Sequence, residues 1–318
     1  MTFEDLWFKV GGNYTALTLW NESAITCKQV YFEITTPTNS EFFIYMDTHS
    51  KMTLDGVGMK VPEKHQSVIG MSASELSIQN STIFSKIDLS EGSKLTLENV
   101  HIEKFGNNTI HAKDSEVIAK NSTITGGDLE KDFPPVWLRN VIWESENCKI
   151  ELPTGTGVCL DNNVQFNSDS DRITSLNAFN SMIRAHQATF SEFLCVYEES
   201  FASLTGETTF LNENAQTISF GVFDDGVLMA EHVICHKIAD PNIRLQGGAF
   251  AKVGTVTYRQ GDARDLTKEI EDDCDYLVGR EVAKGNAQVV PTGQATDATV
   301  APTTARDSGP EKKQDAPL

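Results

Sequence analysis

Ser74-Glu-Leu-Ser-Ile-Gln-Asn-Ser-Thr-Ile83, Ser93-Lys-Leu-Thr-Leu-Glu-Asn-Val-His-Ile102 and Ser115-Glu-Val-Ile-Ala-Lys-Asn-Ser-Thr-Ile124 are three copies of one pattern. With the serine as position one, positions three and five are apolar: Leu76 and Ile78, Leu95 and Leu97, Val117 and Ala119. Position seven is asparagine in each copy (Asn80, Asn99, Asn121). After it the phase slips by one, so positions eight and ten pair as Ser81 and Ile83, Val100 and Ile102, Ser122 and Ile124. Side chains alternate strictly along a strand, so a phase slip at one fixed residue marks a corner between two strands. A third apolar pair precedes each copy: Ile69 and Met71, Ile87 and Leu89 (displaced by one), Ile110 and Ala112. Three short strands per turn, all facing one interior, predict the coil of a parallel β-helix. The asparagines are expected to stack as an inward-pointing ladder of amides.

The same template fits Ser50-Lys-Met-Thr-Leu-Asp-Gly-Val-Gly-Met59 and Ser181-Met-Ile-Arg-Ala-His-Gln-Ala-Thr-Phe190, the latter preceded by Leu176 and Ala178. Val141, Trp143, Cys148 and Ile150 also fall in its slots. Starts at 50, 74, 93 and 115 lie 24, 19 and 22 residues apart, a spread that solenoids absorb in their turns. Gly126-Gly127-Asp128 and Pro134-Pro135 mark a longer loop. The expected organisation is an N-terminal cap or entry region over 1–41, a β-helix over 42–261, a capping helix over 262–281 and a disordered tail over 282–318. Thr2 and Asp5 would open a short helix in the cap, although a first strand fits the same residues. The C-terminal helix is read from Leu266, Ile270, Cys274 and Leu277, one helical stripe opposite an acidic face.

This pattern resembles the right-handed parallel β-helix superfamily, which includes pectate-lyase-like enzymes, phage tailspikes and autotransporter passengers. Within it, Gly106 to Gly126 looks most like the repeats of pertactin-type passengers. The resemblance implies an all-β, single-stranded right-handed solenoid. It speaks to fold far more than to function.

Across the 318 residues, 26 basic and 45 acidic side chains leave a formal charge of −19. Such a field repels phosphate backbones and anionic membranes, so neither nucleic acid nor a membrane is an expected partner. No run of 18 apolar residues occurs. The six cysteines (Cys27, Cys148, Cys159, Cys195, Cys235, Cys274) are scattered, and Met1 opens no signal-peptide pattern. Both point to a cytoplasmic protein, or to an extracellular one if the natural chain begins upstream of Met1.

Candidate chemistry is sparse. β-Helix enzymes that cut polysaccharides gather carboxylates on one outer face, to hold calcium or to act as acid and base. The candidates here are Asp169 and Asp171 with Arg172, Asp224-Asp225, and Asp128 with Asp132. Phe223-Asp-Asp-Gly226 resembles the paired aspartates of polygalacturonases, but that family's Gly-His-Gly and Arg-Ile-Lys motifs are absent. His232 and His236 flank Cys235 with the spacing of a metal site on a helix. The strand template instead separates the two histidines by a corner. Asn80-Ser-Thr and Asn121-Ser-Thr match the glycosylation sequon. No nucleophile elbow or phosphate loop occurs, Gly155-Thr-Gly157 lacks a dinucleotide fingerprint, and no cofactor is indicated. Two functions fit. One is a non-catalytic scaffold presenting an extended acidic surface to a protein or glycan. The other is a polysaccharide lyase or glycoside hydrolase. Carboxylates and a base converging in one groove beside aromatic platforms would favour carbohydrate chemistry.

Overall fold

The alternation around Ser74 is realised as parallel strands in register. Leu76 pairs with Met52 in the coil before and Leu95 in the coil after, and Ile78 with Leu54 and Leu97. The computed structural model describes residues 1–11, 15–35, 43–60, 68–104, 109–126, 134–153, 157–211, 218–236, 242–258 and 268–283. All their regular structure is β, wound as a parallel solenoid with three walls.

The first wall carries positions two to six and runs from Thr2–Glu4 through Glu75–Gln79 to Asp275–Ala283. The second carries positions nine and ten, as at Thr82–Ile83 and Arg172–Ile173. The third carries the preceding apolar pair, as at Val68–Ser72 and Lys86–Ser90. Inward side chains stack on like side chains about 4.8 Å apart, because each coil rises by one inter-strand spacing. Leu97, Ile102 and Ile87 are fully buried, and rings stack in the interior as Trp143–Phe166 and Phe190–Phe210. Each buried Leu, Ile or Phe contributes about 1.5–3 kcal/mol, so the core is a sum of rungs with no single centre.

The corners explain the rest of the pattern. Asn80, Asn99, Asn121 and Asn147 all adopt left-handed backbone, with φ of 48°, 54°, 49° and 53°. Among non-glycine residues asparagine tolerates this region best, which accounts for its recurrence at position seven. The left-handed residue turns the chain and flips the phase. It also directs its own side chain outward. The ladder is therefore on the surface, correcting the expectation of inward amides: all four asparagines are exposed. Asn99 Nδ2 donates to Asn80 Oδ1 (3.2 Å), Asn80 Nδ2 to Asp55 Oδ1 (3.0 Å), and Asn147 Nδ2 to Asn121 Oδ1 (2.8 Å).

From Val57 to Thr208 position eight follows a two-coil rhythm (Val57, Ser81, Val100, Ser122, Cys148, Asp171, Ala188, Thr208), which lapses at Val30 before it and at Val233 and Val256 after it. The polar member of a pair accepts the N–H of the apolar member one coil earlier. Val57 N donates to Ser81 Oγ (2.9 Å), Val100 N to Ser122 Oγ (3.1 Å), and Cys148 N to Asp171 Oδ1 (2.6 Å). These corner amides are buried, so each acceptor removes a desolvation penalty. Thr208 stands in the same slot, but its hydroxyl is without a partner among the described residues. There the inserted Glu207 shifts the register of the corner.

The unequal repeat lengths arise at the corner between the second and third walls. Ile83 passes directly through Phe84 and Ser85 to Lys86, whereas the preceding repeat carries 61–67 between Lys60 and Val68.

At the N-terminus the strand alternative holds over the short helix: Thr2–Glu4 and Trp7–Val10 are strands paired with Ala24–Lys28 and Tyr31–Ile34, and Asp5 (φ 52°) is a corner. The solenoid thus begins in the first residues. At the other end Lys268–Ile270 and Asp275–Ala283 are strands, where a helix was expected. Period-two alternation of Tyr276 and Val278 against the core wins over the helical stripe, and Leu277, a member of that stripe, is 51% exposed. Residues 262–267 and the expected tail beyond 283 lie outside the described residues.

Candidate functional site

The outward residue between each inward pair of the third wall forms a column along the rod: Thr18, Tyr45, Gly70, Asp88, His111, Trp137, one per coil. Gly70 has no side chain, so the column dips between Tyr45 and Asp88. The dip is the floor of a groove of about 670 Å³ lined by Trp20, Tyr45, Gly70, Asp88, Glu91, His111 and Lys113, among others.

Aromatic rings stand at both ends. Trp20, 52% exposed, meets Tyr45 with centroids 5.5 Å apart at 61°. His111 lies against Trp137 at 4.6 Å and 33°. Between them Asp88 receives two partners: His111 Nδ1 lies 2.7 Å from Oδ1 and Lys86 Nζ 2.8 Å from Oδ2. Burial alone would raise the Asp88 carboxyl. The hydrogen bonds from His111 and Lys86 outweigh it and hold the group below the usual carboxylate range. An ionised carboxylate only accepts, so Nδ1 of His111 is the donor in this pair. Glu91, at a left-handed corner (φ 55°), accepts from Ser72 Oγ at 2.7 Å. Burial, with Asp47 and Glu91 nearby, pushes the Tyr45 phenol up. The groove therefore offers flat apolar faces, a fixed imidazole, two carboxylates and the Lys113 ammonium.

Among the described residues, none of the candidate site residues read from the sequence lies here. Asp169, Asp171 and Arg172 occupy one corner, which sends them three ways. Asp169 is exposed on the first wall, Asp171 is 1% exposed inside the coil, and Arg172 faces out from the second wall, Nε donating to Ser191 Oγ at 3.2 Å. Asp171 is structural: it accepts from Cys148 N, from Ser168 Oγ at 2.8 Å and from Ser145 Oγ, which itself accepts from Trp143 Nε1 at 2.9 Å. This corrects its placement on an outer face.

Asp224 and Asp225 are a left-handed turn (φ 51° and 61°) closed by Gly226 N donating to Phe223 O at 3.0 Å. His232 Nε2 pairs with Thr257 Oγ1 at 2.9 Å and Nδ1 lies 3.8 Å from Glu207, while Cys235 between the histidines points inward. His236 donates its backbone N–H to Phe210 O at 2.8 Å. Among the described residues no three His, Cys, Asp or Glu side chains gather as metal ligands. Asp128 and Asp132 lie outside the described residues.

Asp169 does border a second groove, of about 370 Å³, on the first wall. Glu144, Asn167, Arg184 and Ser203 form one column of it, and Asp169, His186 and Thr205 the next. Both grooves escaped the sequence reading because it tracked inward positions. The signal for them is the register of outward ones.

Comparison with protein-family models, curated proteins and solved structures finds no match.

Proposed function

We propose that this chain is a non-catalytic solenoid that binds an extended glycan along its third wall. The right-handed winding and pectate-lyase-like or pertactin-type kinship suggested by the repeats belong to the same proposal. What carries it is the Gly70 gap between the Trp20–Tyr45 pair and the Asp88–His111–Trp137 run. Aromatic faces suit the C–H faces of sugars, which bury apolar area without a charge. Asp88, Glu91, His111 and Lys113 supply acceptors and donors to hydroxyls, each such bond adding about 1 kcal/mol. Coils rise about 4.8 Å, so a chain lying along the rod meets a fresh set of side chains with each coil.

The test is a glycan array followed by titration calorimetry on the full chain. Trp20→Ala and His111→Ala are expected to keep the β circular-dichroism spectrum and to lose at least about tenfold in affinity, the size of one good contact. Unchanged binding in both variants refutes the reading.

The Asp88–His111 pair favours a second reading, catalysis, because a carboxylate-fixed imidazole whose Nε2 has no partner among the described residues suits acid–base transfer. Release of new reducing or unsaturated ends from a bound polysaccharide, abolished by His111→Ala, would select it over simple binding.

A further inference from the structure

On the first wall, basic side chains stack against acids. Lys51 meets Glu75 at 2.9 Å, Lys94 meets Glu116 at 2.8 Å, and Lys120 meets Glu146 at 2.9 Å. Arg184 does not meet an acid, and nor does Lys252, which lies between Met229 and Leu277. The rung neighbours of Arg184 are Asn167 and Ser203, both neutral, and no ion pair joins its guanidinium to a described residue. Asn167 and Ser203 likewise spend their side chains on no described partner. Amide, guanidinium and hydroxyl thus stand in line along the axis on the floor of the first-wall groove, Arg184 exposed and Asn167 and Ser203 half-buried. The adjoining column places Asp169 and His186 beside them, with His186 Nδ1 3.1 Å from Thr205 Oγ1.

We propose that this second groove binds a saccharide carrying a single carboxylate. The planar fork of Arg184 suits a carboxylate bidentately, and Asn167 and Ser203 flank it with further donors. Glu144 and Asp169 then accept from the sugar's hydroxyls. The same two acids, in a chain of charge −19, repel a ligand with closely spaced negative charges. An acidic peptide or a polyuronate is thereby disfavoured, and one isolated carboxylate among hydroxyls is selected. This site is independent of the third-wall groove and stands or falls separately from it.

The experiment titrates the full chain with glucuronate, glucose, polygalacturonate and a glutamate-rich peptide, read by calorimetry and by amide chemical shifts. Glucuronate is expected to saturate, with glucose at least about tenfold weaker, the share of one charge-assisted contact. Arg184→Gln is expected to lose about tenfold or more, and Arg184→Lys to fall between, since an ammonium cannot fork. Lys60→Gln, which removes a cation outside both grooves, is expected to bind glucuronate as the unaltered chain does. Arg184 is exposed, so its variants should retain the native circular-dichroism spectrum. The proposal is overturned by any of three outcomes: no saturable response to glucuronate, equal binding by Arg184→Gln, or stronger binding of either polyanion.

Discussion

Replacing Asp171 tests the interior logic of the coil. Its carboxyl is buried and accepts from the Cys148 amide at 2.6 Å, from Ser168 at 2.8 Å and from Ser145. In Asp171→Ala the two hydroxyls can swing to other acceptors, but the Cys148 N–H is fixed by the corner and has nowhere to turn. One stranded amide costs about 1–3 kcal/mol. The emptied volume and the weakened Ser145–Trp143 link bring the expected loss to about 3–4 kcal/mol. Asp171→Ser should lose only about 1 kcal/mol, because serine holds this slot at Ser81 and Ser122 and accepts the equivalent amide. Urea unfolding followed by circular dichroism measures both.

The pH arm has a definite sign. Burial raises the Asp171 carboxyl, against the pull of Ser145, the Cys148 amide and Ser168, so the folded chain holds this proton more tightly than the unfolded one. The stability it contributes is complete below the ordinary aspartate range, about 4, and is lost as pH climbs through the raised folded value. Relative to Asp171→Asn, the unaltered chain should therefore gain stability as pH falls from 7 to 4. Equal losses in the alanine and serine variants, or the opposite pH trend, would refute the account.

Other outcomes follow from the same geometry. Leu97→Asp is expected to cost about 4 kcal/mol or more by burying an unpaired charge, while Glu98→Lys, one residue on and exposed, stays within about 0.5 kcal/mol; urea midpoints compare them. Asn99→Gly should be nearly neutral and Asn99→Val should lose about 1–2 kcal/mol, since only the valine resists φ of 54°. Thermal melts decide that pair. Burial pushes the Cys195 and Cys235 thiols up to about 12, so a thiol reagent at pH 8 should label them only after denaturation, scored by mass spectrometry.

The coil was legible because its period is written in residues that have few alternatives. Leu76, Ile78, Asn80 and Ile83 announce two strands and the corner between them. The direction of the asparagine was not legible, because a left-handed turn produces the phase slip and the outward side chain together. The C-terminal strand was missed because Leu266, Ile270, Cys274 and Leu277 fit a helix equally well on paper. Only pairing of Phe250–Tyr258 with Asp275–Ala283 decides between them. The grooves lay further from view. Tyr45, Gly70, Asp88 and His111 follow one another at about 20-residue intervals in the chain and meet only because consecutive coils align them.

The alternation of Val57 with Ser81, Val100 with Ser122, and Cys148 with Asp171 sets the grain at which such a molecule can lengthen or shorten. Between Val57 and Asp171, copying or excising one turn would set two aliphatic corners, or two polar ones, against each other and strand an amide at the seam, whereas moving two turns together leaves those seams intact. Nearer the ends aliphatic corners already meet, Val30 on Val57 and Val233 on Val256. The middle of the rod should therefore change length by pairs of turns, and its ends by single ones.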